Sequence, residues 1–106
     1  MRESDIQKGI LDYLKWVGIY AWRQNTTGVY NKKRDAYYFH GMAGVSDIIG
    51  ILPNGRFLAI EVKREGKKPT DAQQEFMDNI TKHGGLAFVA HDIETVEKRL
   101  NEVQAI

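Results

Sequence analysis

Cysteine is absent from the 106 residues. Disulfides and thiolate metal sites are therefore excluded, nothing points to an oxidising compartment, and any metal must be held by oxygen or imidazole. No run approaches the roughly 18 apolar residues of a membrane span, and the opening residues Met1–Asp5 contain no apolar signal core. A soluble, cytoplasmic protein without a membrane partner is expected. Large charge excess is missing too. The formal net charge is +1, so the total does not announce a polyanion binder. Length argues for one domain over residues 1–106, enough for one core and too little for two.

Basic residues are nevertheless clustered. Arg23, Lys32, Lys33 and Arg34 fall in one stretch and Lys63, Arg64, Lys67 and Lys68 in another, giving two patches able to contact phosphates. The segment from Asn25 to Gly44 interleaves such residues with Tyr30, Tyr37, Tyr38 and Phe39. It reads as a long loop or irregular hairpin, suited to phosphate contact plus base stacking. A solvated surface is the commoner fate of such a charge run.

Hydrophobic periodicity supplies the frame. Ile6, Ile10, Leu14 and Val17, with Leu11, predict a helix over 4–17 with Gly18 as its stop, and a start as early as Glu3 would put that acid on the stripe facing the protein. Residues 19–24 read as a strand. Thr70 with Gln73 predicts a capping box opening a helix with stripe Ala72, Phe76, Met77 and Ile80. "LAFVAH" is a further strand, and Asp92 caps a last helix through Val96, Leu100 and Val103. An α/β sandwich around a mixed sheet follows.

The stretch "GVSDIIGILPNGRFLAIEVKRE", residues 44–65, holds the chemistry. Pro53-Asn54-Gly55 suits a type I turn with a G1 bulge, which makes paired positions sum to 108. Ile49 then faces Ala59, and Asp47 faces Glu61. With apolar residues on both faces, the two strands belong in the centre of the sheet, buried on two sides. Two opposed carboxylates with Cβ atoms roughly 5 Å apart repel, and a divalent cation offsets that repulsion, since Mg²⁺ takes oxygen ligands at about 2.0–2.1 Å. Lys63, two residues beyond Glu61, shares its face. An acid pair with an adjacent ammonium is equipped for metal-assisted phosphodiester hydrolysis. The bland alternative, a structural ion pair, suits each residue alone better than all three together. His40, His83 and His91 are dispersed, lack metal-ligand spacing and read as structural or surface residues. No Gly-rich phosphate loop or nucleophile elbow is present.

These residues resemble the PD-(D/E)XK nuclease superfamily, through "GVSD", the spacer and "EVK", and more specifically its VRR-NUC branch. The similarity also takes in Glu3 with Gln7 nearby, the "WR-x-N-x-x-G" stretch from Trp22 to Gly28, Gly44, and Thr70 with Gln73. Ser46 stands where the family usually has proline. The resemblance implies a restriction-endonuclease-like αβββαβ core, Mg²⁺ or Mn²⁺ dependence, and a phage-type homodimer cutting branched DNA such as Holliday junctions, in the host cytoplasm if phage-encoded. It assigns the metal to Asp47, Glu61 and the Val62 backbone carbonyl, catalytic assistance to Lys63, completion of the acidic cluster to Glu3, and a supporting role to Gln73. Arg23, Asn25 and the two basic patches would bind DNA. Rival readings are a non-catalytic DNA-binding module of the same fold, a general nicking nuclease, and a structural partner with a salt-bridged acid pair.

Overall fold

A computed structural model describes residues 1–24, 28–31, 36–39 and 42–106, with backbone alone for 28–31 and 36–39. In chain order the elements are α1 (Glu3–Trp16), β1 (Tyr20–Arg23), β2 (Gly28–Asn31), β3 (Ala36–Phe39), β4 (Ile48–Ile51), β5 (Phe57–Val62), α2 (Asp71–Lys82), β6 (Leu86–Ala90) and α3 (Ile93–Glu102). The main sheet runs β1-β4-β5-β6, antiparallel except for the parallel β5–β6 pair. Strands β2 and β3 form a separate antiparallel ribbon between β1 and β4, within the segment expected to be a loop or irregular hairpin. Without that ribbon and α3, the order is αβββαβ.

The central hairpin follows its turn chemistry. Gly55 has φ +88° and its amide donates to the Leu52 carbonyl at 2.8 Å, while the Leu52 amide donates to Arg56 O at 2.8 Å. A positive φ suits glycine because it has no Cβ to clash. Ile48 pairs with Ile60 and Ile49 with Ala59, the register expected from the sequence. Strands β4 and β5 are the two inner strands.

Alternation along the strands sorts the two faces. Ile48, Leu52, Leu58, Ile60, Val62, Leu86, Phe88 and Ala90 pack with Ile10 and Leu14 of α1 and Val96 and Leu100 of α3 in the principal core. Helix α2 packs on β5 and β6, with Met77 buried, Phe76 and Ile80 half-buried and Ala72 exposed. The second face is covered only in part. Ile49 and Ala59 are buried there, but Ile51 and Phe57 are 43% and 38% exposed, so the expectation of two-sided burial fails at the turn end of the hairpin. Helix α2 packs against β5 and β6, with no comparable contact to β4.

Helix ends match their residues. Thr70 and Gln73 complete the capping box, with Thr70 N–H donating to Gln73 Oε1 at 2.9 Å and Gln73 N–H to Thr70 Oγ1 at 3.2 Å. Asp92 Oδ1 accepts from the Thr95 amide at 2.8 Å and its hydroxyl at 2.6 Å, which lowers the Asp92 pKa. Gly18, with φ +85°, ends the α1 region.

Candidate active site

The site forms where the central strands part. The regular rungs of the β4–β5 ladder join 52 to 56, 50 to 58 and 48 to 60, so the next would send the Val62 amide to the Ser46 carbonyl. Instead, the Val62 amide donates to Asp47 Oδ2 at 2.9 Å. The Asp47 carbonyl meanwhile accepts from the Gln24 amide at 2.7 Å, just beyond β1. Asp47 is thus tied to strands on both sides, and one carboxylate oxygen is spent on the backbone.

Beside it lies Glu61, 1% exposed, with Oε1 lacking a hydrogen-bond partner among the described residues. A buried carboxylate in that state is costly if ionised. Its pKa is pushed up to about 9, first by burial and then by hydrogen bonding and charge repulsion from Asp47, with a smaller push from Glu3; Lys63 acts in the opposite sense. The structure therefore brings Glu3, Asp47, Glu61 and Lys63 into one electrostatic neighbourhood. The ion pairs among the described residues are Arg2–Asp5, Lys8–Asp12 and Arg99–Glu102, and none involves Asp47, Glu61 or Lys63. This disfavours the salt-bridged reading of the acid pair.

Among the described residues, no three His, Cys, Asp or Glu side chains are grouped closely enough to hold an ion together. Glu3 is instead half-buried, with Oε2 accepting from the Arg64 amide at 3.1 Å. It pins the chain just after Lys63. The residues present still fit Mg²⁺ or Mn²⁺: Glu61, whose buried Oε1 has no partner among the described residues, has its carboxyl group next to that of Asp47, and such hard cations commonly take one or two carboxylates with water and phosphate completing the shell.

The other candidates divide. Gln73 has its carbonyl engaged by the Thr70 amide, as the capping box requires. Its helix start nevertheless packs against the acid-bearing segment: a Cβ built on Gly44, whose φ is +79°, would lie 2.3 Å from the Ala72 carbonyl oxygen and 2.9 Å from the Gln73 nitrogen. Gly44 is thus required both by conformation and by the close approach of α2. Arg23 donates from Nη2 to the Ser4 carbonyl at 3.2 Å, linking β1 to the first turn of α1. Arg64, Lys67 and Lys68 are exposed between β5 and α2. Asn25, Lys32, Lys33 and Arg34 lie outside the described residues.

One contact escaped the sequence reading. His91 Nδ1 lies 2.9 Å from the Lys63 carbonyl oxygen. The parallel β5–β6 pairing brings these residues together across 28 positions, and no local spacing signals it.

Comparison with known proteins agrees with this geometry. One solved structure, a "VRR_NUC domain", has 27% identity and a TM-score of 0.69, with 94% of each chain covered. Another, a "VRR_NUC domain protein", has 25% identity and a TM-score of 0.67, covering 98% of this chain and 86% of the other. No curated protein matches. Residues 23–92, which contain Asp47, Glu61, Lys63 and Gln73, match the VRR-NUC domain; with the mixed sheet and the acid pair at the parting of its central strands, this chain belongs to the VRR-NUC family of nuclease domains.

Proposed function

We propose that the protein is a metal-dependent, structure-specific endodeoxyribonuclease that hydrolyses phosphodiester bonds in branched DNA, in the manner of a Holliday-junction resolvase. The observation that carries this reading is the buried Glu61 beside Asp47, with an oxygen that has no partner among the described residues and with Lys63 close enough to affect its charge. Asp47, Glu61 and the Val62 carbonyl would hold Mg²⁺ or Mn²⁺. A bound cation of this kind supplies Lewis acidity, acidifying water and offsetting phosphate charge.

The chain's own residues do the rest. Glu61 must give up its proton for loading, and Asp47 keeps its orientation through the Val62 amide. The Lys63 ammonium stabilises negative charge on the attacking hydroxide and the phosphoryl oxygens. Glu3 completes the acidic edge and secures the Arg64 backbone. Gln73 supports the site from the start of α2. Arg23, Asn25, Lys32, Lys33 and Arg34, together with Arg64, Lys67 and Lys68, contact DNA phosphates.

Paired cuts across a junction need two sites, and a two-fold homodimer provides them. Trp16 and Tyr20, 84% and 73% exposed, together with Ile51 and Phe57 on the open corner of the sheet, favour such an assembly. Incubation with a labelled four-way junction, flap, linear duplex and single strand, with Mg²⁺, Mn²⁺ or chelator, tests the reading. Cleavage confined to the junction supports resolution; nicking of every substrate supports a general nuclease; binding without cleavage supports a DNA-binding module.

A further inference from the structure

We propose that His91 is a positioning residue for Lys63, holding the backbone from which the reactive ammonium projects. The inference rests on the nuclease reading for its consequence, but the contact itself is independent of it.

Lys63 sits at a vulnerable place. Strand β5 ends at Val62, and after Lys63 the chain enters an exposed turn in which Gly66 has φ +86° and the Lys67 amide donates to the Arg64 carbonyl at 3.0 Å. A lysine carries its charge on a flexible four-carbon stem, so the ammonium is placed well only if its backbone is fixed. Three contacts fix it. The Lys63 amide donates to the Ala90 carbonyl at 3.1 Å. His91 Nδ1 meets the Lys63 carbonyl at 2.9 Å, and Glu3 Oε2 takes the next amide, that of Arg64.

The histidine contact assigns its proton. A carbonyl oxygen only accepts, so Nδ1 must carry hydrogen. The neighbouring Asp92 carboxylate acts on His91 through charge, while its Oδ1 accepts from both the amide and the hydroxyl of Thr95. His91 is half-buried and directly follows β6. It therefore extends the grip of β6 one bond beyond the last regular rung, at the residue whose side chain must be aimed. The effect on turnover is indirect, through the geometry of Lys63.

Misplacement of a reacting group by about 1 Å can cost about 10²-fold in rate. His91→Ala should thus lower kcat about 10- to 100-fold, with KM and Mn²⁺ affinity by calorimetry little changed. His91→Asn, whose amide nitrogen occupies the place of Nδ1, should recover most of the rate. In a Lys63→Met background, His91→Ala should change the residual rate less than about twofold, since the group it positions is gone. Independent of catalysis, ¹⁵N NMR should find His91 protonated at Nδ1, and ¹³C relaxation should find Lys63 more mobile in His91→Ala than in His91→Asn.

An unchanged kcat in His91→Ala, a full additional loss in the Lys63→Met background, or an Nε2-protonated neutral ring would overturn the proposal. If His91→Ala does not fold, His91→Asn and the wild-type NMR measurement decide it, with a strongly inactive but folded His91→Asn counting against it. If the wild-type protein cleaves no DNA, the nuclease reading fails, while the NMR measurements still decide whether His91 holds Lys63.

Discussion

Asp47 Oδ2 takes the amide of Val62, a bond that the regular ladder would have given to the carbonyl of Ser46. The carboxylate thereby stands in for a backbone acceptor where the pairing ends, next to the buried Glu61. A substitution that keeps an acceptor is consequently distinct from one that removes it. Asp47→Asn should fold normally and lose metal-dependent cleavage. Asp47→Ala should lose cleavage and also about 1–3 kcal/mol of stability, because the amide of Val62 is left without its partner. Denaturant unfolding of the two variants checks the difference.

Metal-free stability should fall as pH rises between about 4.5 and about 9. Glu61 in the folded state keeps its proton up to about 9, whereas its ordinary value is 4.5. Over that interval the folded protein binds more protons than the unfolded chain, so raising the pH favours unfolding. The contribution is fully present below 4.5 and lost above 9. Thermal melts across this range, in chelator, should show the decline in wild type and a flatter curve in Glu61→Gln. At pH values above the ordinary carboxylate range, the variant should melt at or above the wild-type temperature.

Lys63→Met keeps the aliphatic stem and removes the ammonium. Mn²⁺ binding should persist in calorimetry and kcat should fall about 10²- to 10³-fold, the scale seen when one donor to developing negative charge is removed. Loss of Mn²⁺ binding in the same variant would make Lys63 part of the site's structure and not of its chemistry.

How much of this was legible beforehand depends on the range of the physics involved. Pro53, Asn54 and Gly55 dictate a turn by local backbone preference, and the turn fixes the register of β4 against β5 without reference to the rest of the chain. Thr70 and Gln73 likewise cap their own helix. By contrast, the Asp47–Val62 bond departs from the ladder that the register implies, a side chain taking the place of a backbone acceptor. The His91–Lys63 contact requires β6 to lie parallel to β5, a tertiary outcome that a lone histidine after "LAFVA" does not encode locally. The two-sided apolar pattern of β4 and β5 misled at Ile51 and Phe57, since alternation says which residues share a face and not whether that face is covered along its whole length.

Gly44→Ala should destabilise the fold and disturb the site together. The added Cβ would meet the carbonyl of Ala72 at 2.3 Å, and the residue would be held at φ +79°. The conformational cost alone is about 1–3 kcal/mol, and relief requires α2 to move away from the segment that carries Asp47. A lowered Tm accompanied by weaker Mn²⁺ binding is the expected result. A lowered Tm with unchanged Mn²⁺ affinity would mean that α2 and the acid pair are mechanically independent.

The most direct test compares wild type and Glu61→Gln on a labelled four-way junction under single-turnover conditions, with Mn²⁺ and then with chelator, alongside a binding measurement on the same DNA. Cleavage by wild type is expected only when Mn²⁺ is present, and none is expected from Glu61→Gln although its folding and DNA affinity are retained. Cleavage by wild type in chelator, or cleavage by Glu61→Gln at the wild-type rate, would contradict the assignment of the Asp47–Glu61 pair as a metal-dependent nuclease centre.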